Sequence, residues 1–188
     1  MTTAPPLRTD AARNRGSVVA AAARAFAAGE DASMRAIARE AGVGVATVYR
    51  HFPTRESLVD AVYADQVRRL VDGAHELLDV LAPAAALRRW MDLFADWVAT
   101  KQGMLPTLLA MIHAGQIAHA QSREELLQAI SAILDAGRAA GEVRGDVDAE
   151  DVAASLAGIL TVAGGAAQRR QAGRLMDLLM DGLRPRER

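Results

Sequence analysis

The residues best placed to do chemistry lie between Ser33 and Arg55, in the run SMRAIAREAGVGVATVYRHFPTR. Ser33 can cap a short helix, Met34 to Ala41, by accepting from an otherwise unpaired amide of its first turn. Gly42 stands where a left-handed C-terminal position suits glycine. A second short helix, roughly Val45 to His51, follows and cannot continue through Pro53. Two short helices joined by a tight glycine-containing turn make a helix-turn-helix, whose second helix enters the major groove of duplex DNA. Ile37, Ala38 and Ala41 can pack the pair together, with Val48 and Phe52 facing the helix before them, which leaves Val45, Ala46, Thr47, Tyr49 and Arg50 on the outer side. Arginine reads guanine by paired hydrogen bonds and methyl-bearing side chains meet thymine, while Tyr49, His51 and Arg55 suit phosphate contacts, which position without reading sequence. With residues at the starts of the two helices, the candidate DNA-contacting set is Ser33, Arg35, Gly44, Val45, Ala46, Thr47, Tyr49, Arg50, His51 and Arg55.

Charge supports the same end of the chain. The net charge of −1 hides an asymmetry: residues 1–55 hold eight arginines against four acids, +4, and the remainder fourteen basic against nineteen acidic residues, −5. A basic segment on an acidic body is expected where one end meets a polyanion.

The elements that must hold these residues are helices. Half of the 188 residues are hydrophobic, with much alanine and leucine and no strand-period alternation, which favours an all-α fold. Nine helices are expected. Residues 1–9, with Pro5 and Pro6, read as an arm, and a first helix runs from about Asp10 to Ala28 with Val18, Val19, Ala22 and Phe26 inward. The reading pair follows, so that residues 10–53 form one domain and 54–188 another. Thr54 caps a long fourth helix whose apolar stripe is Val59, Tyr63, Val67, Leu70, Ala74, Leu77 and Leu81. Pro83 starts a fifth, closed by Lys101 and Gly103, and a short sixth covers about Leu105 to His113. Ser122 and Glu125 form a capping pattern for a seventh that Gly141 ends; Asp148 opens an eighth, and 171–183 make a ninth.

In Ile37–Val43 (I-A-x-x-A-G-V), Thr47–Phe52 (T-V-Y-x-H-F) and the group Arg55-Glu56-Ser57-Leu58, the chain resembles the TetR family of bacterial transcriptional regulators over about residues 10–65. Gly44 departs from the pattern, since the family usually has serine or threonine there; glycine is an acceptable N-cap at a cost of a few tenths of a kcal/mol, although a hydroxyl that could meet phosphate is lost. Arg55 stands where lysine is commoner. The resemblance implies a homodimer with two recognition helices in successive major grooves of a near-palindromic double-stranded operator. It also implies a C-terminal domain that binds a small-molecule effector and dimerises through its last two long helices. Leu156, Ile159, Leu175, Leu178 and Leu179 are the candidates for that interface.

Trp90, Met91, Phe94 and Trp97, with Met104 and Met111, share helical spacing that fits either plain core or a ligand cavity; the resemblance favours the cavity, and a ligand there would be apolar or aromatic, with His113 or Gln116 as a polar contact. Asp72, His75 and Asp79 share one helix face but sit opposite the apolar stripe, and Asp92 and Asp96 oppose the tryptophans; both groups read as solvated faces rather than metal ligands. No cofactor or metal is expected. There is no cysteine, no signal peptide in MTTAPPLR and no apolar run near the ~18 residues of a membrane helix, so a cytoplasmic protein is expected. No G-x-S-x-G elbow, phosphate-cradling glycine loop or H-E-x-x-H pair points to an enzyme. The expected function is that of a repressor released from its operator by the ligand; the rivals are a ligand-independent regulator or helical adaptor and, behind these, an enzyme.

Overall fold

The computed structural model describes residues 6–29, 33–115, 119–163 and 166–186. Among them every regular element is helical: α1 Pro6–Ala27, α2 Met34–Glu40, α3 Val45–His51, α4 Arg55–Val80, α5 Pro83–His113, α6 His119–Ala139, α7 Ala149–Ala163 and α8 Arg169–Leu183, with a 3-10 turn at Ala166–Gln168. The all-α expectation holds, with eight α-helices where nine were expected. The difference lies in α5. Lys101 and Gly103 do not close it, and Pro106, which forfeits one backbone bond, is carried inside a single 31-residue helix. Two smaller departures are of the same kind. Residues 1–5 of the expected arm lie outside the described residues, and α1 begins at Pro6, where the proline lacks only an N–H that would be unpaired in a first turn anyway. The Ser122 capping pattern is not used: α6 starts at His119, so Ser122 lies within the helix, and Glu125 accepts from Gln121 Nε2 at 3.0 Å. No breaker separates His119 from Ser122, and each further helical residue adds a backbone bond.

Packing divides the described chain into two units, one from residues 1–65 with 100–117 and the other from 66–99 with 118–188. Both α4 and α5 therefore contribute residues to each.

In the first unit α1 packs on α2 and α3, and α2 on α3. Val18, Val19, Ala22 and Phe26 of α1 are buried, as are Ile37, Ala38, Val48, Phe52, Leu58, Val59, Val62, Tyr63, Met104 and Leu108. In the second unit α6 packs on α7 and α7 on α8. Leu70 and Ala74 continue the buried stripe of α4, which fades at Leu77 and ends at Leu81, 39% exposed. Glu142, just beyond α6, reaches back to the start of α5, its Oε2 accepting from the Ala84 amide at 2.9 Å; a carboxylate is favoured at the positive end of a helix. No helix among the described residues is long and apolar enough to cross a membrane.

Candidate nucleic-acid interface

The reading pair is assembled from local signals. Ser33 takes an extended conformation, and its Oγ accepts from the Ala36 amide at 3.2 Å, which caps α2. Gly42 has φ +68 and lets the chain reverse within three residues; a side chain there would be strained. The Val43 amide closes the turn on Ala38 O at 3.0 Å. Gly44 is the N-cap of α3 with φ −67 and ψ 144 and no side chain to cap. At the far end, Thr54 and Ser57 cap α4 reciprocally, each hydroxyl accepting from the other's amide at 3.1 and 3.2 Å.

Val48 and Phe52 point inward and are buried. That orientation turns Val45, Ala46, Tyr49 and Arg50 outward, with Val45 36% and Tyr49 49% exposed. An apolar side chain and a tyrosine held in water on a seven-residue helix, beside an exposed arginine, are side-chain types that can meet base edges and phosphates. Thr47 and His51 are half-buried at its margins, and Arg35 and Ser33 are exposed on α2.

α1 holds this pair at two points and the start of α4 at a third. Arg24 Nε donates to Glu40 Oε1 at 2.7 Å, an exposed pair contributing at most about 1 kcal/mol. The Arg15 guanidinium lies 5.4 Å over the Phe52 ring, and the Arg55 guanidinium lies 5.5 Å over the Phe26 ring, both within cation–π range. The sequence places Phe26 inward on the first helix but does not show its arginine partner, and it does not single out Arg15, because the partners are distant in the chain.

The N-cap gives a prediction. A Cβ at Gly44 would meet only Thr47 Oγ1, at 3.8 Å, and the backbone already has N-cap geometry. Gly44→Ser is therefore expected to raise stability by about 0.3–1 kcal/mol with no loss of DNA affinity; a lowered urea midpoint would contradict this account of the cap.

The expected effector residues are split between the units. Trp90, Met91, Phe94 and Trp97 belong to the second and are all buried; the ring centroids of Trp90 and Phe94 are 5.5 Å apart and those of Phe94 and Trp97 5.2 Å, and Trp90 Nε1 donates to Leu70 O at 2.8 Å. Met104 and Met111, also buried, and His113, exposed, belong to the first unit, and Gln116 lies outside the described residues. On the other side of α5, Asp92 and Asp96 do more than face solvent. With Arg89, Ala95, Leu160, Ala163, Arg169 and Met176 they line an opening of about 190 Å³ between α5, α7 and α8. Arg169 pairs with Asp96 at 3.1 Å, and Arg88 with both Asp92 and Asp177 at 2.8 and 2.6 Å. Asp72, His75 and Asp79 are exposed.

Of the expected interface residues, Leu156 is buried in its own chain, Ile159, Leu175 and Leu179 are half-buried, and Leu178 is 65% exposed. Val162, 68% exposed on α7, was not singled out. Gly164 and Gly165, a glycine pair that fits either a helix break or the close approach of a partner helix, lie outside the described residues.

Comparison with known proteins agrees with this architecture. Residues 18–62 match the family model described as bacterial regulatory proteins, tetR family, and residues 82–185 match that described as transcriptional regulator SbtR-like, C-terminal domain. The structure of a TetR transcriptional regulator from Streptomyces coelicolor is 46% identical, with a TM-score of 0.86, over 92% of this chain and 99% of that one. A TetR transcription regulatory protein from Mycobacterium vanbaalenii is 38% identical, with a TM-score of 0.76, over 96% and 100%. No curated protein matches the chain. A helix-turn-helix built as described, both family models and likeness over more than nine-tenths of this chain at this identity lead to one conclusion: the chain belongs to the TetR family of bacterial transcriptional regulators.

Proposed function

We propose that the protein is a homodimeric repressor that holds a near-palindromic operator through two copies of α3 and releases it when a small ligand binds the C-terminal unit. The observation that carries the DNA reading is the outward face of α3, with Val45, Ala46, Tyr49 and Arg50 exposed over buried Val48 and Phe52. On this reading Arg50 reads a base, while Tyr49 and Arg55 meet phosphate, joined by Ser33, Arg35, Thr47 and His51 at the margins. One chain holds one recognition helix, so a twofold operator needs a second copy. The outer side of α8, where Leu175 and Leu178 lie among Gln171, Arg174, Asp177 and Asp181, and the exposed Val162 of α7 support an interface through these two helices.

For the ligand, the buried ladder Trp90–Phe94–Trp97 supports an apolar or aromatic molecule that would have to part these rings. The opening beside Asp92 and Asp96 favours a second reading, a small ligand with a charged end over the apolar floor of Leu160, Ala163 and Met176. Titration of candidate compounds against the protein–operator complex tests both. Release accompanied by a change in tryptophan fluorescence, and unaffected by Asp96→Asn, supports the ladder. Release abolished by Asp96→Asn supports the opening. Undiminished operator binding with every compound tried counts against ligand control.

A further inference from the structure

Gly103 sits inside α5, where glycine is a poor helix former relative to alanine. A Cβ there would lie 1.9 Å from the carbonyl oxygen of Phe26, 2.6 Å from its carbonyl carbon and 2.8 Å from its Cα. No side chain can occupy that space without moving backbone, so α5 is laid directly on the last turn of α1. The Phe26 carbonyl at this contact also accepts from the Gly29 amide at 3.0 Å, in the turn that ends α1. The Phe26 side chain, 1% exposed, presents its ring to the Arg55 guanidinium at the start of α4, 5.5 Å away. Gly103, Phe26 and Arg55 thus form one stack through three helices, all within the first unit.

We propose that Gly103 is a positioning residue for DNA binding: by seating the end of α1 against bare backbone it holds the Phe26 ring beneath Arg55 and so aims that guanidinium at phosphate. This rests on the reading above in which Arg55 contacts the operator backbone. A cation stacked on an aromatic face has its swing restricted. Adding a methyl group at residue 103 must push Phe26 away and shift its ring, although neither Gly103 nor Phe26 touches DNA.

The test measures operator affinity across salt for Arg55→Ala, Phe26→Leu, Gly103→Ala and the double variant Arg55→Ala/Gly103→Ala. Phe26→Leu keeps apolar bulk but removes the aromatic face, and it carries the test if Gly103→Ala fails to fold, as judged by thermal unfolding and Trp90 and Trp97 fluorescence. Arg55→Ala is expected to weaken binding about tenfold and to make the slope of log affinity against log salt shallower by about 0.9 per protomer. Phe26→Leu and Gly103→Ala should reproduce that shallower slope, and the double variant should add nothing to Arg55→Ala. A purely structural role would lower affinity without changing the slope. The proposal is overturned if Arg55→Ala flattens the slope while Gly103→Ala and Phe26→Leu leave it at the wild-type value, or if the two losses simply add. An unchanged slope in Arg55→Ala itself would reject the phosphate contact, and the positioning role with it.

Discussion

Arg50→Ala is expected to weaken operator binding by about 1–3 kcal/mol, roughly 5- to 150-fold, and to flatten the preference for one base pair in each half-site. The expectation follows from the register of α3. Burial of Val48 and Phe52 fixes the rotation of the helix, and Arg50 then stands exposed on the same side as Ala46 and Tyr49. An arginine in that place can donate two hydrogen bonds to guanine, and alanine leaves those acceptors to water. Arg50→Lys separates charge from geometry: it keeps the cation but loses the paired donors, so affinity for non-specific DNA should persist while discrimination falls. Competition binding against an operator series substituted at each position checks both. A uniform loss across all sequences would place Arg50 on the phosphate backbone instead.

The second large effect concerns assembly. Val162→Glu combined with Leu178→Glu is expected to yield a monomer and to cut operator affinity at least about a hundredfold. Side chains at the centre of an interface commonly contribute 2 kcal/mol or more each, and a carboxylate buried there without a partner costs more than the lost contact. Both residues are largely exposed in the single chain, so the variant should keep its fold, as circular dichroism would show. Leu156 is the instructive contrast, because it is buried within its own chain. Leu156→Glu would unfold the C-terminal unit instead of dissociating a dimer. Analytical ultracentrifugation of the double variant decides the point: a dimer of wild-type affinity would remove α7 and α8 from the interface.

Much of the architecture was legible in the sequence because its signals are local. The caps at Ser33 and Thr54, the left-handed turn at Gly42 and the proline that stops α3 each act within four residues, and each is found where the chemistry of those residues places it. The inward set of the reading pair was legible too, since Val48 and Phe52 lie four apart on one helix face. What failed was the reading of breakers by type alone. Gly103 looked like the end of a helix, yet it marks a helix pressed against another backbone. The expected sixth helix, about Leu105 to His113, is the continuation of α5, and the one backbone bond lost at Pro106 does not outweigh the others along it. Ser122 and Glu125 fit a capping pattern that the preceding turn overrides.

Tertiary partners were the other blind spot. Nothing local ties Arg15 to Phe52, Arg55 to Phe26 or Arg169 to Asp96, because each pair joins separate helices. Asp92 and Asp96 face solvent, as their place opposite the tryptophans predicts, but they also line a cleft with α7 and α8 that no local spacing reveals. The dimer candidates suffered from the same limit. Helical spacing identifies apolar faces without saying which face the chain covers itself, so Leu156 and Leu178 looked alike.

The central claim is that α3 reads double-stranded DNA in a twofold arrangement. Selection of genomic fragments on the purified protein, followed by footprinting of the retained sequences, tests it most directly. The account predicts one enriched near-palindrome, protected over two half-sites whose centres lie about one helical turn, ~34–36 Å, or a multiple of it apart, with protection lost in Arg50→Ala. Retention indifferent to sequence, or a single unpaired half-site bound by one chain, would contradict it.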